Sequence, residues 1–300
     1  MTHQALTTTV LTTKALILAA GRGERMRPLT DHTPKPLLEV QGQPLMQWAM
    51  QALAQGGFTQ LVVNTAWLGE QVADHFGSHF ELNFGIQPVY LLPKQLLKSE
   101  QKEESSITVD IRYSHEGRDF GGALETAGGI VRALPLLCRS GDGGDDDIFW
   151  ALAGDVFAPD FVFSSEAVAR FKASGKWAHL WLVPNPEHNP KGDFGLQTTA
   201  KDGLKDGLVL NDGAEKYTFS TIALYRKSLF SMPYCDIPAG NPDGVKAALA
   251  PLLRKAIAAE QVSGELYTGR WTDVGTPERL AFINSTPKPS LSSLSRLVVP

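Results

Sequence analysis

The residues best suited to chemistry lie between Leu18 and Leu37, where the chain reads LAAGRGERMRPLTDHTPKPL. Gly21-Arg22-Gly23 predicts a turn at which backbone N–H groups approach a phosphate with no Cβ in the way. Arg22, Arg25, Arg27 and Lys35 put four cations within fourteen residues. Arginine offers a bidentate fork to phosphate oxygens and lysine a compact charge. Prolines on both sides of Lys35 predict an extended Pro-Lys-Pro stretch that limits where the ammonium points. Such a segment binds phosphates. It is not a dinucleotide fingerprint, because Met26 occupies the third-glycine position, and it lacks the G-K-[ST] ending of a P-loop. An NAD-dependent dehydrogenase is thereby disfavoured.

Chemistry on a phosphate also needs its charge neutralised, and carboxylates that hold a divalent cation do this. Asp155 ends the run FWALAGD, so it is expected at the carboxyl end of a strand, where open α/β sheets bind ligands. Asp273 lies in WTDVGT, just before a helix start at Thr276-Pro277-Glu278. Aspartate is equally at home in turns and caps, and spacing alone does not pair the two. The small-residue stretch Gly121–Ile130, GGALETAGGI, lets the chain pass close to a flat base. Glu125 within it has two readings, a hydrogen-bond acceptor for substrate or the cap of a helix over Thr126–Leu137. For sugar hydroxyls and ring faces the candidates are Asn64, Trp67, Asn185, Asp193 and Trp271. Ser220 and Thr221 read as half-buried strand positions. The seven histidines show no metal spacing, and His188 is expected on the surface. Neither a G-x-S-x-G nor a Cys/His arrangement is present, which favours direct displacement over a covalent intermediate.

These residues need a frame. Strands are predicted at Lys14–Ala19, Gln60–Thr65, Ile111–His115, Ile148–Ala153, Ala178–Pro184 and Tyr217–Tyr225. Helices are predicted from Pro44 to Gln55 and over Gly69–Phe76, Ala127–Leu137, Ser165–Ala173 and Gly244–Glu260, followed by a hairpin through Tyr267–Thr272. The β-then-α order predicts an α/β three-layer sandwich, Rossmann-like, with a mixed, mainly parallel sheet. One domain is expected over residues 14–284, after an N-terminal extension (1–13) and before a Ser- and Pro-rich tail (285–300) expected to be disordered. Polar stretches at Pro93–Thr108 and Arg139–Asp147 read as loops.

In bulk, the 300 residues are 43% hydrophobic and 20% charged, with a net charge of −4. A sizeable core is affordable, and a nucleic-acid surface is disfavoured because no basic tract exists. No apolar run is long enough to span a membrane, and the N-terminal MTHQALTTTVLTT lacks the features of a secretion signal. With only Cys138 and Cys235, neither in a redox or metal spacing, a cytoplasmic protein with two idle thiols is expected.

Taken together, LAAGRGERMRPLT…PKPL, NTAWLGEQVADHFG, LETAGGIVRALPLL, KGDFGL and SGELYTGRWTDVGTPERL resemble the sugar-phosphate nucleotidyltransferases through Leu280, most like the short single-domain uridylyltransferases. The two polar loops are insertions relative to that pattern. The resemblance implies UTP and a sugar 1-phosphate as substrates, with Mg²⁺ held by Asp155 and Asp273. It implies that Arg25 and Lys35 stabilise the triphosphate, and that Ala19, Ala20, Gly21, Gly23, Glu24 and Gly128 line the nucleotide. Guanylyl or thymidylyl transfer to mannose or glucose 1-phosphate remains an alternative, as does a regulatory protein that binds a nucleotide sugar without chemistry. A regulatory binder has no need of both carboxylates. No hexapeptide repeat follows to build the usual trimerising β-helix, so a monomer is expected.

Overall fold

The computed structural model describes residues 13–84, 106–138, 147–198 and 207–287. The first half runs β1 (Ala15–Ala19), a small ladder β2 (Glu39–Val40) with β3 (Gln43–Pro44), α1 (Leu45–Gln55), β4 (Gln60–Thr65) and α2 (Gly69–Phe76). It continues with β5 (His79–Asn83), β6 (Ser106–His115), α3 (Glu116–Phe120) and α4 (Glu125–Leu137). The second half has β7 (Ile148–Ala153), β8 (Val156–Phe157), α5 (Ser165–Ser174), β9 (Ala178–Val183), β10 (Phe194–Thr198) and β11 (Gly207–Leu210). After these come β12 (Lys216–Arg226), α6 (Leu249–Ala258), β13 (Val262–Leu266), β14 (Thr272–Asp273) and α7 (Pro277–Ser285).

Ten strands form one sheet in the order β10-β11-β13-β9-β12-β7-β1-β4-β6-β5. The strands β7, β1, β4 and β6 are mutually parallel, and β13 is parallel to β9. Antiparallel neighbours turn β12, β11 and β5 the other way, so the remaining seven strands share one direction. The expected mixed, mainly parallel sheet is therefore present. Its parallel quartet sends the carboxyl ends of four strands to one edge.

The period-2 alternation of these strands builds two cores. Leu16, Phe149, Ala151, Leu180 and Leu182 face the layer of α4 and α6. Ile17, Trp150, Leu152 and Trp181 face α1, α2 and α5. Trp150 is fully buried, with ring centroids of Phe163, Trp181 and Phe58 at 4.9, 5.0 and 5.8 Å. A third, smaller core gathers Met26, Leu38, Val40, Leu45, Phe157, Val274 and Ile283 beneath the entrance loop. Ser164 and Thr276 cap α5 and α7 by accepting from the N–H groups three residues on.

Several expectations are corrected. The strand expected from Ile111 begins at Ser106, so the last three residues of the polar stretch 93–108 belong to β6, where their N–H and C=O groups are paired with β5. Residues 93–105, 139–146 and 288–300 of the predicted loops and tail lie outside the described residues, as do residues 1–12 of the N-terminal extension. The predicted helix from Gly244 starts only at Leu249, because the preceding loop is held by Asn241, whose amide bonds both the N–H (2.8 Å) and the C=O (2.9 Å) of Val245. There is no hairpin through Tyr267–Thr272. Instead β13 joins the main sheet beside β9, and β14 pairs with β8. No helix among the described residues is long and apolar enough to cross a membrane.

Removing the Trp150 indole leaves a cavity that its fixed aromatic neighbours cannot fill. Trp150→Ala should lower unfolding stability by about 3–5 kcal/mol, read as a drop in the urea midpoint at unchanged slope.

Candidate functional site

At the carboxyl edge of the parallel quartet lies a cavity of about 680 Å³. Each of the four strands delivers one part of its wall or support. β1 ends at Ala19 and releases Ala20-Gly21, β4 ends with Asn64 and Thr65, β6 runs into Glu116, and β7 runs into Gly154-Asp155. Gly154 N–H donates to Leu18 C=O at 2.8 Å, and a Cβ at Gly154 would sit 3.1 Å from that oxygen, so glycine keeps the β7 exit tight against β1.

The entrance loop is braced from outside the cavity. Gly23 has a φ of +69°, which favours glycine, and starts a 3-10 turn over Glu24–Met26. Met26 plugs the third core. Arg22 donates to Thr30 C=O at 2.9 Å and to Asp31 at 3.0 Å while stacking 3.7 Å above the Trp67 ring, whose indole N–H also reaches Thr30 C=O at 2.9 Å. Hydrogen bonding from Arg22, aided by Arg27, holds the Asp31 carboxyl below its ordinary pKa. Trp67 thus braces the glycine-rich loop and is not among the residues that line the cavity, which favours a structural place over a sugar contact. The Pro-Lys-Pro stretch is likewise not extended: Lys35–Leu37 forms a 3-10 turn, with Pro36 buried, and this turn carries the Lys35 ammonium onto Asp155 Oδ2 in an ion pair.

Asp155 and Asp273, far apart in sequence, are brought together by the two-residue ladder of β8 with β14, in which Asp273 faces Val156. Val274 N–H donates to Asp155 C=O at 2.8 Å. The Asp273 carboxylate is held by Arg279 from α7 and by His188 Nε2 at 3.0 Å. His188, expected at the surface without a role, therefore touches the second carboxylate. Among the described residues no group of three or more His, Cys, Asp or Glu could hold a metal. Two carboxylates suit an ion such as Mg²⁺, which completes its shell with waters and substrate phosphates.

Of the expected residues, Ala19, Ala20, Gly21, Gly23, Lys35, Asn64, Glu125, Asp155 and Asp193 line the cavity. Arg25 and Glu24 are exposed on the turn after Gly23 and do not line it. Gly128 is corrected: it lies beneath the 241–248 loop, donating to Ala247 C=O at 3.1 Å, and a Cβ there would sit 2.6 Å from Val245 C=O. Ala247 C=O, which also accepts from Ala127 N–H at 2.9 Å, caps α4, so the capping reading of Glu125 falls. Glu125 instead has a φ of +60° and its place in the cavity wall. Asn185 is not among the lining residues and accepts from Thr218 Oγ1 at 3.0 Å, while Asp193 accepts from Phe219 N–H at 2.9 Å. Trp271 donates to Ser220 C=O at 3.1 Å and braces β12 from behind.

Sequence reasoning missed two features. The far end of the cavity is made by Phe194, Phe219, Tyr225, Leu249 and Leu253 with Arg254, which lies 5.2 Å from the Phe194 ring centroid. Nothing in the spacing of the β10 and α6 segments announces that they meet. The second feature is a bulge in β12. Between Phe219 and Ala223 this strand advances four residues while β9 advances two, and Ser220 Oγ replaces the lost ladder by bonding Trp181 C=O at 2.6 Å. Thr221, in that bulge, has a φ of +65° and a buried Oγ1 with no hydrogen-bond partner among the described residues, and it lines the cavity. Thr221 is the half-buried strand position expected, whereas Ser220 beside it is fully buried.

With this geometry in view, the chain matches the family described as nucleotidyl transferase over residues 14–287. The chain belongs to that family. It is 42% identical over 270 residues, covering 89% of the chain and 95% of the relative, to N-acetylmuramate alpha-1-phosphate uridylyltransferase of Neisseria meningitidis. The same enzyme of Caulobacter vibrioides is 27% identical, over 88% of the chain and 92% of the relative. Two solved structures share the fold. A putative glucose-1-phosphate thymidylyltransferase from Bacillus anthracis superposes with a TM-score of 0.60 at 19% identity, covering 93% of this chain and 98% of that one. UDP-glucose pyrophosphorylase from Acinetobacter baumannii gives 0.62 at 13% identity, covering 91% and 92%.

A β-branched residue in the left-handed region is strained, and its orphaned hydroxyl adds to the cost. Thr221→Gly should raise unfolding stability by about 1 kcal/mol, the strain relieved less the added entropy of glycine in the unfolded chain. A calorimetric melt showing a lower Tm would mean that the side chain contributes more by packing than its backbone costs.

Proposed function

We propose that the protein transfers a uridylyl group from UTP to N-acetylmuramate 1-phosphate, giving UDP-N-acetylmuramate and pyrophosphate as a step of cell-wall recycling. The observation that carries this reading is the 42% identity to the Neisseria enzyme across nearly the full length of both chains. A phosphate oxygen of the sugar 1-phosphate attacks the α-phosphorus of UTP, the bond to the bridging oxygen breaks, and pyrophosphate leaves with the electron pair. The attacking phosphate is already ionised, so no general base is needed, and catalysis consists of positioning and charge stabilisation.

In this reading Gly21 and Gly23 cradle the phosphates with backbone N–H groups. Lys35, only 11% exposed, meets negative charge as it builds on the triphosphate. Arg25, on the open side of the loop, binds the leaving phosphates. Asp155 and Asp273 hold Mg²⁺, which when bound supplies Lewis-acid neutralisation of the phosphates. Asn64, Glu125 and Asp193 line the space for ribose and sugar. The enzyme works as a cytoplasmic monomer.

A second reading is guanylyl transfer to mannose 1-phosphate. It is favoured by relatives such as the mannose-1-phosphate guanylyltransferase catalytic subunit beta of Drosophila melanogaster, 31% identical over 89% of this chain but only 60% of that one.

Pyrophosphate release, measured with Mg²⁺ for UTP, GTP, dTTP and CTP against the 1-phosphates of N-acetylmuramate, N-acetylglucosamine, glucose and mannose, should be fastest for UTP with N-acetylmuramate 1-phosphate. GTP with mannose 1-phosphate as the best pair would replace this reading with the second. Lys35→Ala should lower kcat by about a hundredfold, comparable to removing a preorganised oxyanion donor. Near-normal turnover would remove Lys35 from its assigned role.

A further inference from the structure

Glu116 is a fully buried carboxylate that touches no part of the cavity. Its Oε1 accepts from Asn64 Nδ2 at 2.5 Å and its Oε2 accepts from Leu124 N–H at 2.7 Å. Asn64 Oδ1 in turn accepts from Ala19 N–H at 2.7 Å. The chain of bonds therefore runs from the last residue of β1 to the residue before α4. These two points adjoin two stretches of the cavity wall, Ala19, Ala20 and Gly21 at the first and Ala123, Glu125 and Thr126 at the second. The network fills its space completely, since a Cβ at Gly129 would sit 2.6 Å from Glu116 Oε1 and 2.8 Å from Asn64 Nδ2.

The polarity of this network is dictated by its ends. Both termini are backbone N–H donors, fixed by the fold. A bridge of two side chains between two donors needs one group that accepts on both sides, and among neutral or anionic side chains of this shape only a carboxylate does so. An amide at both positions always leaves two donors facing each other, whichever way either amide is turned. Burial raises the Glu116 pKa, and the bonds from Leu124 and Asn64 and the charge of Arg132 oppose that rise.

We infer that Glu116 is a positioning residue for the nucleotide: acting through Asn64, it fixes the separation of the two walls between which the nucleoside triphosphate binds. This rests on the glycine-rich end of the cavity being the nucleotide end. The polarity rule gives the test. Glu116→Gln is nearly isosteric, yet it sets the introduced amide against one of the two donors. Asn64→Asp sets two carboxylates face to face. The double variant Asn64→Asp/Glu116→Gln restores a complete set of donors and acceptors, with the carboxylate moved to position 64.

The experiment is calorimetric titration of UTP with Mg²⁺ into the parent chain and the three variants, each checked for folding by its thermal melt, with the KM for the sugar 1-phosphate measured in parallel. The parent should bind UTP. Each single variant should weaken UTP about tenfold or more, as expected for a buried polar group left without its partner, and in Glu116→Gln, which leaves the cavity lining unchanged, the KM for the sugar 1-phosphate should stay within about twofold. The double variant should recover most of the UTP affinity. Single variants that bind UTP like the parent, a double variant no better than the singles, or equal losses toward both substrates in Glu116→Gln would overturn the positioning role and leave the functional reading intact. A folded parent that binds no UTP would overturn the reading and this inference with it.

Discussion

Four backbone residues hold the site together. The ladder of Thr272 with Phe157 and Asp273 with Val156 is the contact that brings the backbone around Asp273 beside that of Asp155. Two residues make a weak ladder by themselves. What fixes it is the third core, where Phe157 of β8 and the buried Val274 just after β14 pack with Met26 of the entrance loop and Ile283 of α7. One small cluster of apolar side chains thus registers the glycine-rich loop, Asp155 and Asp273 against one another. A change in the volume of Met26 is felt at all three, because packed cores transmit displacement. Met26 fails as a third glycine for this reason: the turn here is anchored by burial, where a dinucleotide loop closes against its helix.

The edge itself follows from strand direction. Parallel β1, β4, β6 and β7 end together, and their last residues differ in kind according to what each must do. β1 gives way to small residues that expose backbone N–H groups. β7 gives way to a glycine and then a carboxylate. β4 and β6 end in polar side chains that are spent within the protein, Asn64 on Ala19 and Glu116 on Asn64 and Leu124. Charge is thereby sorted. The cations of the loop stand at the open side, and the buried carboxylate stands behind the wall, where it shapes the cavity without presenting its charge to a phosphate.

The sequence made the local parts legible and left the meetings between them hidden. Strong apolar runs bounded by glycine placed β1, β4, β7 and β9 to within a residue, because a strand buried on both faces has few other solutions. The phosphate loop was legible because cations and glycines cluster within one short segment. β10, β11 and β5 escaped notice because they are short and half polar, and their pairing is set by neighbours far away in sequence. Trp67 and Gly128 stand outside the cavity lining for a related reason. Each has the right chemistry for a ligand, and only the fold reveals that Arg22 and Thr30 occupy the first while the loop from Asn241 covers the second. Glu116 gave no signal at all, since an isolated glutamate at a strand end reads as a solvated charge.

The bulge in β12 carries the last step. A regular strand there would turn its backbone groups into the ladder with β9 and leave that wall of the cavity flat. By looping out two residues and binding Ser220 Oγ to Trp181 C=O, the chain satisfies the lost ladder with a side chain and sends Thr221 toward the cavity. Trp271 locks the arrangement from behind through Ser220 C=O, two residues before Asp273. Strain of this kind persists only where the surroundings over-determine it. Here they do so through the segment that also carries Asp273, so the shape of this wall of the cavity and the position of Asp273 are linked through Trp271.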